Sequence, residues 1–303
     1  MFVASDRSTV VVDIGTETYK IGYSDNGIPT RFGSSSTISN GFVSPVKYSK
    51  IVDVPAYLKI LRDNIPQDTS YLCIAENTFE EPETRKEILR ILMEEDDVSS
   101  LFFAKSGLLD SFSYGKYTSL VLSFNGGSTQ VCSIINGIIT NKRMIPEGCL
   151  FVTNKFRSGN SALDTYKSLE QARMKKEDYY EELKRNPFGE KETSCHSEIL
   201  KIVDYAKEIL DLCSEEERCL LLSNILVAGS GSTIPFIQSE LDRMFSDRFR
   251  SYKIRIFLRE CRFHTFFGGV VFSNIGSTKL LHIGKMDYQE YGVSILERKE
   301  YLK

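Results

Sequence analysis

The sequence predicts an α/β fold of two domains, in which helices flank mixed β-sheets. Three segments predict this fold: two strand–turn–strand hairpins and a later strand that enters a glycine-rich loop before a helix. They lie at 10–22, 120–131 and 224–235. β-Branched and apolar runs favour buried strands, and the amphipathic segments between them are typical of helices. A chain of 303 residues can bury the cores of two such domains.

The first hairpin joins a valine-rich strand to a turn that carries polar and charged residues. Its candidate nucleotide-binding residues are Asp13, Gly15, Thr16, Glu17 and Lys20. Gly15 permits a turn whose backbone N–H groups approach an anion, and Lys20 can reach a phosphate. Asp13 is the candidate metal ligand, because a carboxylate can hold the water shell of a cation. The alternative is an ordinary hairpin in which Lys20 is a surface charge.

Predicted strands and helices alternate along the rest of the chain. Hydrophobic spacing predicts helices over 54–64, 81–95, 105–112, 197–212 and 215–222 and strands over 71–76 and 100–104. The serine- and glycine-rich stretch 33–45 predicts a loop. The charged segment 174–185 predicts a solvated helix with ion pairs one turn apart.

The second hairpin and the glycine-rich loop supply the remaining candidate ligand contacts. These are Gly127 in the hairpin and Gly229, Ser230, Gly231 and Ser232 in the loop. Gly229 and Gly231 allow the backbone to approach a base or a ribose closely. A helix predicted over 236–249 supplies the positive end of its dipole. The alternative is that these glycines serve only the turns of the backbone.

Composition limits the function classes. The formal net charge of −3 and the pI of about 5.8 predict no broad nucleic-acid footprint. No apolar run is long enough to cross a bilayer, and the first residues predict no secretory leader. The seven cysteines lack metal-type pairing and indicate reduced thiols.

The three segments, in this order, resemble actin-related proteins within the wider actin, Hsp70 and sugar-kinase fold. Residues 266–272 are similar to the family's aromatic-Ile-Gly-Gly-Ser-Ile-Leu helix start, and 283–292 to its Lys-Glu-Tyr-x-Glu-x-Gly ending. The resemblance implies a first domain of 1–107 with 263–303, a second of 108–262, and a nucleotide cleft between them. It implies ATP or ADP with Mg²⁺ as cofactor, and a nucleotide-free chain is the alternative.

Both upper lobes of the family are expected to be reduced in this chain. The intervals that would form them, at about 24–53 and 150–198, are much shorter than in the family. A filament subunit needs head-to-tail surfaces at both ends. The chain is therefore expected not to polymerise.

The resemblance also predicts an eroded catalytic site. The family's metal-organising Asp falls at Ser123, and its next Gly and Asp fall at Asn125 and Gly126. Its water-positioning Gln aligns near Ser106, and its relay His aligns with Gln130. Loss of a proton relay lowers a rate by about 10²–10⁴-fold. We therefore expect no enzyme, with hydrolysis absent or very slow.

The resemblance further implies a groove that receives an amphipathic partner helix. Its matching positions are Phe112, Gly115, Tyr117, Val271, Phe272 and Ile275. Aromatic anchors often dominate the energetics of such a groove. The alternative is that Phe112 and Phe272 are ordinary core residues.

These observations predict a non-polymerising scaffold subunit of a nuclear chromatin-remodelling or histone-acetyltransferase complex. The segment 283–296 is similar to the Val-Gly-Lys-Lys-Glu-Tyr-Glu-Glu-x-Gly-Val ending of the nuclear branch. The expected partners are actin, another actin-related protein, or a helical segment of a remodelling ATPase or scaffold subunit. No membrane contact and no nucleic-acid specificity are expected. Two alternatives remain: the pointed-end subunit of dynactin, located in the cytoplasm and cytoskeleton, and a slow ATP-binding actin-like protein.

Overall fold

The computed structural model describes residues 8–35, 37–38, 42–66, 69–96, 98–146, 148, 193–233, 237–259 and 261–299. The chain divides into two compact units. Unit 1 combines the residues up to Ser35 with Pro45–Ser113 and those from His264 onward. Unit 2 combines Tyr114–Phe263 with the short segment Ser36–Ser44.

The strands of the described chain are short. In chain order they are β1 (Val10–Ile14), β2 (Thr18–Tyr23), β3 (Arg31–Ser34), β4 (Thr37–Ile38), β5 (Phe42–Val43), β6 (Val46–Lys47), β7 (Lys50–Ile51), β8 (Tyr71–Glu76), β9 (Ser100–Lys105), β10 (Ser119–Phe124), β11 (Thr129–Ile135), β12 (Ile138–Ile145), β13 (Ile225–Ala228), β14 (Ile256–Leu258) and β15 (Ile283–Gly284).

The α-helices of the same residues alternate with these strands. They are α1 (Val54–Asn64), α2 (Pro82–Glu94), α3 (Ser106–Ser113), α4 (Thr193–Asp211), α5 (Glu215–Leu222), α6 (Ile237–Arg248), α7 (His264–Ser273), α8 (Lys285–Tyr291) and α9 (Ile295–Arg298). Within the described part of the chain, no helix combines the length and the apolar character that crossing a bilayer requires.

Unit 1 is built on a six-stranded mixed sheet in the order β15-β9-β8-β1-β2-β3. Strands β9, β8 and β1 run parallel, whereas β2 pairs antiparallel with β1. Val10, Val11 and Val12 are fully buried, as expected for a β-branched strand with helices nearby. Helix α1 begins at an N-cap where Asp53 Oδ1 accepts a hydrogen bond from Ala56 N at 2.9 Å.

Helices α3 and α7 approach each other closely in unit 1. A Cβ atom on Gly268 would lie 1.7 Å from the carbonyl oxygen of Leu109, so only glycine fits there. Thr265 Oγ1 donates a hydrogen bond to Asp110 Oδ1 at 2.7 Å. The domain change expected at 107 thus falls within α3, which belongs wholly to unit 1 because α7 packs against it.

Unit 2 is built on a five-stranded mixed sheet in the order β12-β11-β10-β13-β14. Its core includes the buried side chains of Leu120 and Leu122 from β10, together with Ile202 and Ile209 from α4. Helix α5 begins in a capping box, in which Ser214 and Glu217 exchange side-chain and backbone hydrogen bonds. The predicted mixed sheets flanked by helices are confirmed.

The expected short lobe at 24–53 holds strand β3 and two small antiparallel ribbons, β4–β5 and β6–β7. The loop predicted over 33–45 is therefore wrong in part, because serine and glycine do not prevent short pairings there. The helix predicted over 174–185, and most of the shortened lobe at 150–198, lie outside the described residues.

Candidate functional site

The β1–β2 hairpin places a carboxylate opposite a lysine. Asp13 and Lys20 are cross-strand partners, and Lys20 Nζ lies 3.0 Å from Asp13 Oδ2. Their side chains are only 13% and 11% exposed. Lys20 is therefore held in place by a largely buried ion pair and is not an ordinary surface charge.

The turn of this hairpin does not itself require its glycine. Gly15 N donates to the carbonyl oxygen of Thr18 at 2.9 Å. A Cβ atom on Gly15 would meet that oxygen at 3.4 Å, which is ordinary contact, and the φ of Gly15 is not in the left-handed region. Thr16 and Glu17 complete the turn and are partly buried. The small residue is therefore compatible with the close approach of a ligand.

A buried ionic cluster lies at the carboxyl ends of the neighbouring parallel strands, and the sequence analysis missed it. Glu76 ends β8 and Lys105 ends β9, and Lys105 Nζ lies 2.9 Å from Glu76 Oε2. Arg85 Nε donates to Glu76 Oε1 at 2.7 Å. Ligands of open α/β sheets bind outside the carboxyl ends of the strands. A charged residue directly after each apolar run was the available sequence signal.

Two more titratable groups border this cluster. Burial raises the pKa of the Tyr57 phenol, and the charges of Asp13, Glu80 and Glu76 raise it further. Burial also raises the pKa of the Glu80 carboxyl, although backbone N–H groups of Ile51 and Glu81 donate to it. The end of the unit 1 sheet is thus a polar region beside the first hairpin.

The β10–β11 hairpin of unit 2 carries no carboxylate where the family has one. Ser123 and Gln130 are cross-strand partners and are both buried. Gln130 Nε2 donates to Ser128 Oγ at 3.0 Å, so this amide is engaged within the hairpin. These contacts favour a structural role for the hairpin.

The turn after β10 is in close contact with the glycine-rich loop. Gly229 has a φ of +80°, and a Cβ atom there would lie 2.5 Å from Phe124 O and 2.6 Å from Asn125 Oδ1. Gly148, which the sequence analysis did not select, approaches the same turn, since its Cβ would lie 2.4 Å from Asn125 O. The backbone itself therefore requires Gly229, as the alternative interpretation of the glycines held. Gly126 and Gly127 occupy the turn that these residues approach.

The serines of the loop have different roles. Ser232 Oγ donates to Cys261 O at 2.9 Å, and both Ser232 and Gly231 are buried. The hydroxyl of Ser230 is buried and has no hydrogen-bond partner among the residues described. An unsatisfied buried hydroxyl is unfavourable by about 1–3 kcal/mol. Ser230 is consequently the loop residue best suited to a polar ligand.

Ser106, where the family has its water-positioning glutamine, is engaged at the start of α3. Its Oγ accepts from Thr78 N at 3.2 Å and lies 3.1 Å from Thr78 Oγ1. Thr78 Oγ1 in turn accepts from Gly107 N at 2.9 Å. The hydroxyl therefore serves the local helix start.

The six positions expected to form the partner groove divide between the units. In unit 1, Phe272 is 4% exposed and stacks on Phe112 at a centroid distance of 5.3 Å. Phe272 is therefore a core residue of unit 1, as the alternative interpretation held, and its assignment to the partner groove is corrected. Val271 and Ile275, on the same helix and just after it, are 43% and 40% exposed. Gly115 and Tyr117 are exposed residues of unit 2.

The residues present fit a nucleotide better than they fit a protein-held metal. In unit 1, Lys20 provides a cation beside the turn of the first hairpin, which suits a phosphate. In unit 2, Ser230 separately provides an unsatisfied hydroxyl. Among the described residues, no three histidine, cysteine or carboxylate side chains come together to hold a metal ion. Asp13 could act on a magnesium ion through the ion's water shell.

Comparison with known proteins identifies the family of the chain. The family model described as "Actin" matches residues 35–158 and 166–301. The chain belongs to the actin family. The first hairpin precedes the matched residues, so in this actin-family chain its assignment depends on the residues themselves.

Several curated relatives of this actin-family chain carry the name Actin-related protein 4. The protein from Arabidopsis thaliana is 22% identical, over 75% of this chain and 71% of the relative. The protein from Oryza sativa subsp. indica is 22% identical, over 75% and 70%. That from Candida glabrata is 28% identical over 31% of this chain and 20% of the relative. The predicted resemblance to actin-related proteins is confirmed.

Proposed function

We propose that this chain is a non-polymerising scaffold subunit of a multiprotein complex and does not turn over ATP. The observation that carries the proposal is the second hairpin, where buried Ser123 replaces a carboxylate and Gln130 is bound to Ser128. A site without these groups lacks both charge stabilisation and a proton relay. The engaged hydroxyl of Ser106 supports the same conclusion.

ATP or ADP with Mg²⁺ would act as a structural ligand in this proposal. The bound nucleotide would supply phosphate charge for Lys20. Asp13 would keep Lys20 oriented across the hairpin. Phosphate release by the purified chain should not exceed that of its Asp13→Ala variant. Turnover that depends on Asp13 would refute this part of the proposal.

The complex is proposed to be a nuclear chromatin-remodelling or histone-acetyltransferase assembly. Relatives named Actin-related protein 4 and the similarity of 283–296 to the nuclear branch support this choice. The partners would be actin, another actin-related protein, or a helix of the ATPase or scaffold subunit. The exposed apolar side chains Val271 and Ile275 are proposed to contact that helix.

The test is affinity purification of the tagged chain from its own cells, followed by mass spectrometry. Val271→Glu with Ile275→Glu should lose the complex. The matched control is Val52→Glu with Ile28→Glu, which alters the same residue types at 56% and 63% exposure in unit 1. Recovery of actin and a remodelling ATPase supports the proposal. Recovery of dynein-activator subunits instead supports the dynactin alternative, and equal loss in both variants contradicts the assigned surface.

A further inference from the structure

Residues 253–259 alternate between apolar and mostly cationic side chains, and the structure separates the two sets. Ile254, Ile256 and Leu258 pack against the core of unit 2. Side chains two residues apart along an extended strand share one face. The opposite face therefore carries Lys253, Arg255, Phe257 and Arg259. Lys253, Arg255 and Arg259 are exposed.

Aromatic rings fix two cations on this face. Lys116 Nζ lies 4.5 Å from the centroid of the Phe257 ring, and Arg259 Cζ lies 5.1 Å from that of Tyr114. Tyr114 is itself held, because its hydroxyl donates to Val227 O at 2.6 Å and accepts from Arg259 N at 3.0 Å. Cation–π contacts restrict the positions of both cations.

The cations lie along an edge of the sheet. Strand β14 is the last strand of the five-stranded sheet, paired only with β13 in the part of the chain described. Lys253 and Arg255 form no ion pair with any described residue. The charges of Lys253 and Arg255 repel each other, and a polyanion would relieve that repulsion. We call Lys116, Lys253, Arg255 and Arg259 the cation row.

We propose that the cation row is a docking surface for the phosphate backbone of a nucleic-acid duplex, contacted without reading of the bases. Side chains two residues apart on a strand are separated by about 6.6–6.8 Å, and each strand of a duplex carries a phosphate every ~3.4 Å of axis. Successive cations can thus meet alternate phosphates. The guanidinium groups of Arg255 and Arg259 suit phosphate recognition through paired hydrogen bonds.

A duplex explains this face better than an acidic peptide does. The only apolar side chain on the face is Phe257, and Lys116 lies over it. A peptide would therefore gain no exposed apolar anchor from the described residues of the row, and anchors supply much of the affinity of peptide grooves. The net charge of −3 argues against a broad nucleic-acid footprint and is compatible with a small local one.

The test is the salt dependence of duplex binding, measured by fluorescence anisotropy with a labelled mixed-sequence DNA and the full chain. Four phosphate contacts give a slope of about −3.6 in log K against log salt, a loss of about 150-fold between 50 and 200 mM salt. Lys253→Gln with Arg255→Gln should reduce the slope by about 1.8. The matched control, Lys59→Gln with Arg31→Gln, removes one exposed lysine and one exposed arginine from unit 1 and should leave the slope unchanged.

Each possible result either supports or overturns the proposed duplex contact. A reduced slope in the cation-row variant alone supports the proposal, provided that circular dichroism shows both variants folded. Absence of duplex binding at low salt, or an equal change in both variants, overturns it. Tighter binding of polyglutamate than of the duplex, lost in the cation-row variant, also overturns it and assigns the face to an acidic protein.

Discussion

The contact between the glycine-rich loop and the second hairpin predicts a large penalty for one added methyl group. Gly229→Ala must place its Cβ 2.5 Å from Phe124 O while keeping a φ of +80°. The left-handed conformation costs a non-glycine residue about 1–2 kcal/mol. Overpacking against the backbone adds about 1–3 kcal/mol. The substitution should therefore lower the free energy of unfolding by about 2–5 kcal/mol.

Gly115→Ala is a matched control for this prediction. Gly115 has a φ of +67°, and a Cβ atom there would meet nothing within 4 Å. Gly115→Ala should lower the free energy of unfolding only through the left-handed backbone conformation, by about 1–2 kcal/mol. Any gain from stiffening the unfolded chain is the same for the two substitutions and cancels in the comparison.

Urea unfolding followed by far-UV circular dichroism measures the difference, since the chain has no tryptophan. The two units need not unfold together, so a second measurement must show which unit is destabilised. Hydrogen exchange of peptides from β10 and β11 gives this information. Equal losses for Gly229→Ala and Gly115→Ala would refute the close approach.

Three further outcomes are expected. Glu76→Gln should destabilise unit 1 by about 3–5 kcal/mol in urea unfolding, because it leaves buried cations uncompensated, and Lys105→Met should cost less. Lys20→Gln, combined with Asp13→Asn so that no carboxylate is left alone, should weaken binding of a fluorescent ATP analogue about tenfold or more. Burial, with Lys299 and Lys279 nearby, lowers the pKa of His282 from 6.5 to about 4, so the folded state binds fewer protons. Stability should accordingly fall as pH drops from 6.5 toward 4, by up to about 1.4 kcal/mol per pH unit.

Each of these three predictions has its own control. Lys59→Gln removes an exposed lysine of unit 1 and should leave the affinity for the ATP analogue unchanged. His282→Gln should flatten the pH dependence of the unfolding midpoint between 6.5 and 4, and the same slope in both proteins would contradict the assignment. For the buried cluster, a larger loss in Lys105→Met than in Glu76→Gln would be inconsistent with Arg85 as a second partner of Glu76.

The parts of the fold that local patterns determine were predictable. Helix α1 ends at the residue expected from its apolar spacing, and β8 spans the apolar run 71–76 as expected. Helix α5 has the predicted bounds 215–222, whereas other helices moved by one to four residues at an end, as between the predicted 197–212 and the observed Thr193–Asp211. Strands β4 and β5 were missed because two-residue pairings leave no periodicity to detect.

The sequence was sufficient to select polar candidate residues for the site. It was not sufficient to predict which of them form ion pairs and which are buried. Lys20 and Asp13 were selected as candidate ligand residues of the first hairpin, and that role stays a prediction, whereas their pairing follows only from the register of the hairpin. Phe272 was assigned to the partner groove, but it is buried in the core. An aromatic residue on an apolar helix gives the same sequence pattern in both environments. The burial of Glu76 with Lys105 depends on which strands are neighbours, which sequence pattern alone does not give.

Unit 1 is made of three separate segments, and their order along the chain determines when this unit can fold during synthesis. Val11 lies directly beneath Gly269, whose Cβ would come within 2.5 Å of the valine Cγ1 atom. Since these residues are at opposite ends of the chain, the first hairpin leaves the ribosome long before the helix that covers it is made. Nearly all of unit 2 is by then complete and can fold. The nascent protein therefore carries an uncovered apolar sheet face until α7 has been made, and such a face is prone to aggregation.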